Sequence, residues 1–215
     1  MRRWIIAGGL VGALTVSGGL LTGCTTMSKD QCLAGAWGEK GYADGAAGYP
    51  MSRLDDHAKA CAKYQVAPNP SAYGSAREDG LRSYCTFERG WTEGRSGNTY
   101  YGVCRPQEER VFMTAYRDGL RLHAVEDVFE TARSALNSAE ARIENREDKL
   151  EAKERELRGE GLTEQERERV RDRIREVRGE IRDARRNARD ARDALDRAEW
   201  DVRRVRLELS GRYPV

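Results

Sequence analysis

From Leu122 to Leu209 apolar residues recur at alternating steps of three and four, with one interruption. The first run is Leu122, Val125, Phe129, Ala132, Leu136, Ala139, Ile143 and Leu150, with Arg146 on the same stripe. The second is Val170, Ile174, Val177, Ile181, Ala184, Ala188, Ala191, Leu195, Ala198, Val202, Val205 and Leu209. A repeat of about 3.5 residues kept this long is a seam that only another helix can cover. Between the runs lies Arg158-Gly159-Glu160-Gly161-Leu162, followed by Thr163-x-x-Glu166, a capping box. The glycines end one helix and the cap starts the next. The reading is an antiparallel helical hairpin with arms over about residues 107–157 and 163–210, folded back about residue 160. That register sets Leu150 against Val170, Ile143 against Val177, Leu136 against Ala184, Phe129 against Ala191 and Val125 against Leu195. One continuous helix dimerising along its length is the rival, and the glycines with the cap favour the hairpin.

The second arm is rich in arginine, as in Arg182-Asp183-Ala184-Arg185-Arg186-Asn187-Ala188-Arg189-Asp190. Acids alternate with these arginines at helical spacing, which describes a solvated, self-paired face. Nucleic acid is therefore not an expected partner. The whole chain carries 38 basic and 36 acidic residues, and two of the bases are Arg2 and Arg3.

Those two arginines open the N-terminal segment. An uncharged apolar run follows from Ile5 to Leu21 and ends in Leu21-Thr22-Gly23-Cys24. Basic, then apolar, then small is the layout of a secretory signal. Its last four residues resemble the lipobox of bacterial lipoproteins. The resemblance implies cleavage between Gly23 and Cys24 and a lipid on the Cys24 sulfur, so that residues 1–23 are a signal peptide. It also implies a membrane partner held through that lipid. Thr25, where an aspartate would retain such a protein at the inner membrane, implies the periplasmic face of the outer membrane. The competing reading is a spanning helix from Trp4 to about Leu21. It falls short of the roughly 20 apolar residues a span needs and contains five glycines. Without residues 1–23 the chain holds 36 residues of each sign, a neutral balance with no long-range pull on polyanions.

In an oxidising compartment Cys32, Cys61, Cys85 and Cys104 read as two disulfides. Three pairings are open, and neighbour with neighbour, Cys32–Cys61 and Cys85–Cys104, is the expected one. A four-thiolate metal site is the weaker alternative, because close Cys-x-x-Cys pairs are missing. Composition changes near residue 106, from Gly, Tyr, Trp and Cys to charged helix formers. The expected organisation is a disulfide-stabilised domain at residues 24–106 and the helical hairpin at 107–215. The fold class is mainly α, with a minor extended or hairpin segment at 97–104 and helices at about 30–48, 52–65 and 71–84.

A short pattern, small-x-x-acid-Gly, recurs four times. It reads Gly41-Tyr42-Ala43-Asp44-Gly45, Arg77-Glu78-Asp79-Gly80 after Ala76, Gly90-Trp91-Thr92-Glu93-Gly94 and Ala115-Tyr116-Arg117-Asp118-Gly119. Glycine costs a helix about 1 kcal/mol against alanine. Close backbone approach is the plain reason to keep it. The sharper one is a ligand site built from Asp44, Asp79, Glu93 and Asp118. With Cys32, Trp37, Ala60-Cys61, Tyr73-Gly74, Leu81, Tyr84-Cys85 and Tyr101-Gly102-Val103-Cys104, these residues resemble an uncharacterised family of bacterial lipoproteins, domain of unknown function 2799, over roughly residues 24 to 120. The resemblance brings no activity with it.

No nucleophile motif, zinc-helix motif or phosphate loop is present, and no cofactor is expected. His57 and His123 read as surface imidazoles. The leading expectation is a non-enzymatic envelope lipoprotein whose coiled coil meets a protein partner. One alternative is a glycan- or peptide-binding module with Trp37, Tyr42, Tyr73, Trp91, Tyr100 and Tyr101 along a groove. The other is an enzyme using the carboxylates of the acid-Gly motifs.

Overall fold

The computed structural model describes residues 26–214, and the proposed signal and Cys24 lie outside them. Seven helices follow in order: α1 Lys29–Leu33, α2 Trp37–Ala46, α3 Arg53–Ala62, α4 Pro70–Tyr84, α5 Phe87–Arg95, α6 Pro106–Arg158 and α7 Glu164–Leu209. Five of the seven starts have a local cause, and α2 and α3 have no side-chain cap. Ser28 and Thr163 form capping boxes with Gln31 and Glu166. The side chains of Asn69 and Thr86 accept the backbone N–H groups of Ala72 and Arg89. Pro70 and Pro106 occupy first-turn positions, where the missing N–H costs nothing.

The expected helix 30–48 is two helices. Gly35, at φ 62°, breaks it before Trp37. Helix α5 lies where no helix was expected. The segment 97–104 is not a strand: no strand occurs among the described residues. Its β-prone residues have no neighbouring chain to pair with. Side chains satisfy the backbone instead. Tyr100 N–H donates to the Tyr116 hydroxyl (3.2 Å), that hydroxyl donates to the Asn98 carbonyl (2.6 Å), and Cys104 N–H donates to the Tyr100 hydroxyl (3.0 Å). The disulfides are Cys32–Cys61 and Cys85–Cys104, the expected pairing.

The four copies of the acid-Gly pattern form two helix pairs built to the same plan. A Cβ placed on Gly41 would lie 2.1 Å from the Tyr73 carbonyl oxygen, and one on Gly45 2.1 Å from that of Arg77. In return, a Cβ on Gly80 would lie 2.2 Å from the Tyr42 carbonyl oxygen. The second pair repeats this with Gly90 on Phe112 (2.3 Å), Gly94 on Tyr116 (2.2 Å) and Gly119 on Trp91 (2.7 Å). Thus α2 crosses α4, and α5 crosses the start of α6, backbone against backbone. Both first helices end alike. Gly48 and Gly97 take positive φ, and Tyr49 and Asn98 N–H groups donate to the Asp44 and Glu93 carbonyls, which is the Schellman termination. Gly41, Asp44, Gly45 and Gly48 recur 49 residues on as Gly90, Glu93, Gly94 and Gly97. The domain uses one helix-crossing plan twice.

The compositional break at residue 106 does not separate two packing units. Phe112, Ala115, Tyr116 and Gly119 of α6 close the second helix pair. The far end of α7 returns to the same place. Val205, Leu209 and Tyr213 share a buried cluster with Trp91, Ala115 and Leu122, and the Tyr213 ring stacks on Trp91 at 4.0 Å.

The hairpin forms as expected, but one heptad out of the expected register. Leu122 packs with Val205 and Leu209, and Phe129 shares a groove with Val202. The turn explains the offset. Helix α7 starts only at Glu164, and Arg167 reaches back to the carbonyls of Leu157 and Gly159. A ladder of cross-arm ion pairs fixes the register: Glu126–Arg206 (2.8 Å), Glu140–Arg192 (2.7 Å), Glu147–Arg185 (2.7 Å) and Glu154–Arg178 (2.8 Å). Exposed pairs contribute at most about 1 kcal/mol each, so their main effect is on alignment. Arg146, on the seam, pairs with Glu180 of α7. A polar seam residue specifies register at a cost in stability. Arg146→Leu should therefore raise the stability of the arms by about 1 kcal/mol, read as a higher denaturation midpoint by circular dichroism. A lower midpoint would show that the ion pair stabilises on balance.

Candidate functional site

The acid of each first helix is where chemistry concentrates. Asp44 sits on α2 one turn after Gly41, and the close crossing with α4 brings it to Tyr73. Its Oδ2 accepts the Tyr73 hydroxyl at 2.7 Å and His57 Nε2 at 2.6 Å. All three side chains are buried: Asp44 is 6% exposed, His57 1% and Tyr73 0%. His57 is thus a core residue rather than the surface imidazole its neighbours Asp55 and Asp56 suggested. One turn along α3, Leu54 and Cys61 bury the same face. With Nε2 donating to the carboxylate, Nδ1 is left buried without a hydrogen-bond partner among the described residues. The arrangement ties α2, α3 and α4 through one oxygen. It sets an imidazole, a carboxylate and a phenol together, and the cluster is closed to solvent.

At the second crossing Glu93 holds the position of Asp44 and is met differently. Asn98 Nδ2 donates to its Oε2 at 2.8 Å, and Arg89 Nε lies 2.8 Å from Oε1. Glu93 also borders a cavity of about 230 Å³ at the junction of the two helix pairs, shared with Ala47, Tyr49, Tyr84, Asn98, Thr99 and Tyr101.

The four acid-Gly carboxylates do not converge. Asp79 is exposed beside Arg82 (3.3 Å). Asp118 accepts the Tyr213 hydroxyl (2.8 Å) and pairs with Arg212 (2.8 Å). The recurrence marks glycines that let helices touch, and each acid follows its own neighbours. Among the described residues no three His, Cys, Asp or Glu side chains are grouped to hold a metal ion. The aromatic residues do not line one groove either. Trp37 and Tyr73 fill the first core cluster, Trp91 the third, Tyr100 packs against the second, and Tyr42 and Tyr101 face solvent. His123 is half-buried, with its ring where a Cβ on Gly97 would be.

Burial gives the tyrosines a shared property. The Tyr73 and Tyr84 hydroxyls are held well above the ordinary tyrosine range, first by burial and then by Asp44 and Glu93 respectively. Tyr213 is pushed up to about 12, by burial and then by its hydrogen bond to Asp118. An unfolded tyrosine ionises near pH 10. Folding is therefore favoured fully below that value. Stability is lost as pH rises from about 10 towards and beyond 12, because the unfolded chain releases these protons first. Urea titrations across that interval should show the midpoint falling while tyrosinate absorbance lags behind that of the free amino acid. Tyr213→Phe should flatten the early part of the decline.

Among the described residues no helix is long and apolar enough to cross a membrane. Residues 36–121 match the profile of a family described as protein of unknown function (DUF2799). The match ends where α6 leaves the domain, so the hairpin lies beyond it. No curated protein and no solved structure matches the chain.

Proposed function

We propose, from the match of residues 36–121 to the DUF2799 family, that the chain is a non-enzymatic envelope lipoprotein that presents a rigid helical arm to a protein partner. One observation carries this reading. Helix α6 supplies core residues to the disulfide-bonded domain and then runs on unbroken to Arg158. From Leu122 onward that is about 55 Å at 1.5 Å per residue. With α7 pinned back at Trp91 by Tyr213, the arm has no hinge at its base. Its outward faces are charged, as suits a surface that reads a partner by register and charge. The lipid on Cys24, at the outer membrane, belongs to the same proposal.

The test keeps both ends of the arm. Deleting residues 121–215 would strip Leu122, Val205, Leu209 and Tyr213 from the domain's own core. Instead three heptads are excised from each arm, residues 133–153 and 169–189, which keeps the native turn with its cap and shortens the hairpin in register. In-cell crosslinking with mass spectrometry should lose protein partners in the shortened variant, with membrane fractionation and domain melting unchanged. An identical set of partners would refute the role of the arm. Labelled palmitate should enter the wild type and not Cys24→Ala. The cavity at Tyr49, Tyr84, Glu93 and Tyr101 favours a second reading, a small-glycan or peptide site. A thermal shift with muropeptides that Glu93→Gln abolishes would support it.

A further inference from the structure

We infer that the α1 face of the domain is seated directly on lipid headgroups, with no spacer between anchor and domain; this rests on the proposed acylation of Cys24. The observation is how near Cys24 lies in sequence to the buried core. Met27, three residues after Cys24, is 2% exposed. It packs in the first core cluster, its Sδ 4.0 Å from Cys61 Sγ. The next residue, Ser28, is fixed by its capping box with Gln31, and Cys32 by the disulfide to Cys61. An extended chain spans at most about 3.6 Å per residue. A lipid on Cys24 is therefore within about 11 Å of a residue locked in the core. A tether that short cannot let the domain tumble, so the surface around Met27 must face the bilayer.

That surface has the matching chemistry. Leu33, at the end of α1 and beside Cys32, is 58% exposed. Lys29, three residues before Cys32, and Lys63, two residues past Cys61, are both exposed, with Asp30 as the acid on α1. Lys63 lies over the ring of Tyr64, 5.0 Å from its centroid, and Tyr64 packs on the Met27 cluster. An exposed leucine on α1, with an exposed lysine near each cysteine of the disulfide, fits an interface of acyl chains beneath anionic headgroups.

The test uses the full chain, purified with its lipid and reconstituted in vesicles containing phosphatidylglycerol. A benzophenone amino acid replaces Leu33 in one variant and Trp200, exposed on α7, in another. Ultraviolet crosslinking should give severalfold more lipid adducts at position 33 than at position 200. A flexible linker of about 20 residues placed between Thr25 and Thr26, reaching roughly 25 Å, should bring position 33 down to the level of position 200 while flotation with the vesicles is unchanged. Equal adducts at the two positions, with acylation of Cys24 confirmed by intact mass, would overturn the seating and leave the anchor standing. An intact mass without lipid would remove both.

Discussion

Gly45→Ala should destabilise the domain by about 3 kcal/mol, although alanine is the better helix former by about 1 kcal/mol. The added methyl carbon would sit 2.1 Å from the Arg77 carbonyl oxygen and 3.0 Å from the Leu81 nitrogen. Neither neighbour is the end of a flexible side chain. Both belong to the backbone of α4, so the two helices must part along the whole crossing. Asp44 would then lose its distance to Tyr73, and the buried carboxylate would keep His57 alone. Gly94→Ala should cost a similar amount at the second crossing, where the neighbour is the Tyr116 carbonyl at 2.2 Å. The control is Gly179→Ala on α7. Its nearest neighbour is the mobile end of Arg182 at 3.7 Å, so the propensity gain of about 1 kcal/mol should appear in full. Urea denaturation followed by near-ultraviolet circular dichroism separates the cases. A neutral Gly45→Ala would mean that the crossing is not a backbone contact.

That contrast bears on what the sequence could reveal. Periodicity exposed the hairpin, because a seam kept from Leu122 to Leu209 has one kind of partner. It did not reveal the register. A 3.5-residue repeat is unchanged by a slip of one heptad, and Ala184, Ala188 and Ala191 accept almost any facing residue. The discriminating signal was electrostatic: Glu126, Glu140, Glu147 and Glu154 meet Arg206, Arg192, Arg185 and Arg178 only in the observed alignment. The recurring acid-Gly pattern was visible, but not its pairing into two crossings. The clue lay in Gly48 and Gly97, each three residues after Gly45 and Gly94, which mark equivalent helix ends. His57 was misread because its partners, Asp44 and Tyr73, are distant in sequence, and local context showed only Asp55 and Asp56.

Replacing Cys32 and Cys61 together by alanine should cost about 3–4 kcal/mol, and the loss should be confined to one corner of the molecule. The loop-entropy part is similar for the two disulfides, because they span comparable separations of 29 and 19 residues. Their surroundings differ. Cys85–Cys104 lies in a cluster with Tyr84, Phe112 and Tyr116, and the chain leading to Cys104 is also held by Tyr100 and Tyr116. Cys32–Cys61 joins the five-residue helix α1 to α3, which buries only Leu54, His57 and Cys61. Without the bond α3 is held by one leucine and one imidazole. If α3 detaches, His57 leaves Asp44, and the carboxylate keeps only Tyr73. Hydrogen exchange should therefore quicken by about two to three orders of magnitude across residues 29–33 and 53–62, consistent with loss of that free energy locally. The amides of α6 and α7 beyond Leu122 should be unchanged, since the hairpin closes on itself. In the Cys85→Ala, Cys104→Ala protein the faster exchange should instead spread through α4, α5 and the start of α6. If both double variants loosened the same amides, the two helix pairs would be a single cooperative unit, and α3 would owe its place to packing rather than to the bond that holds Cys61.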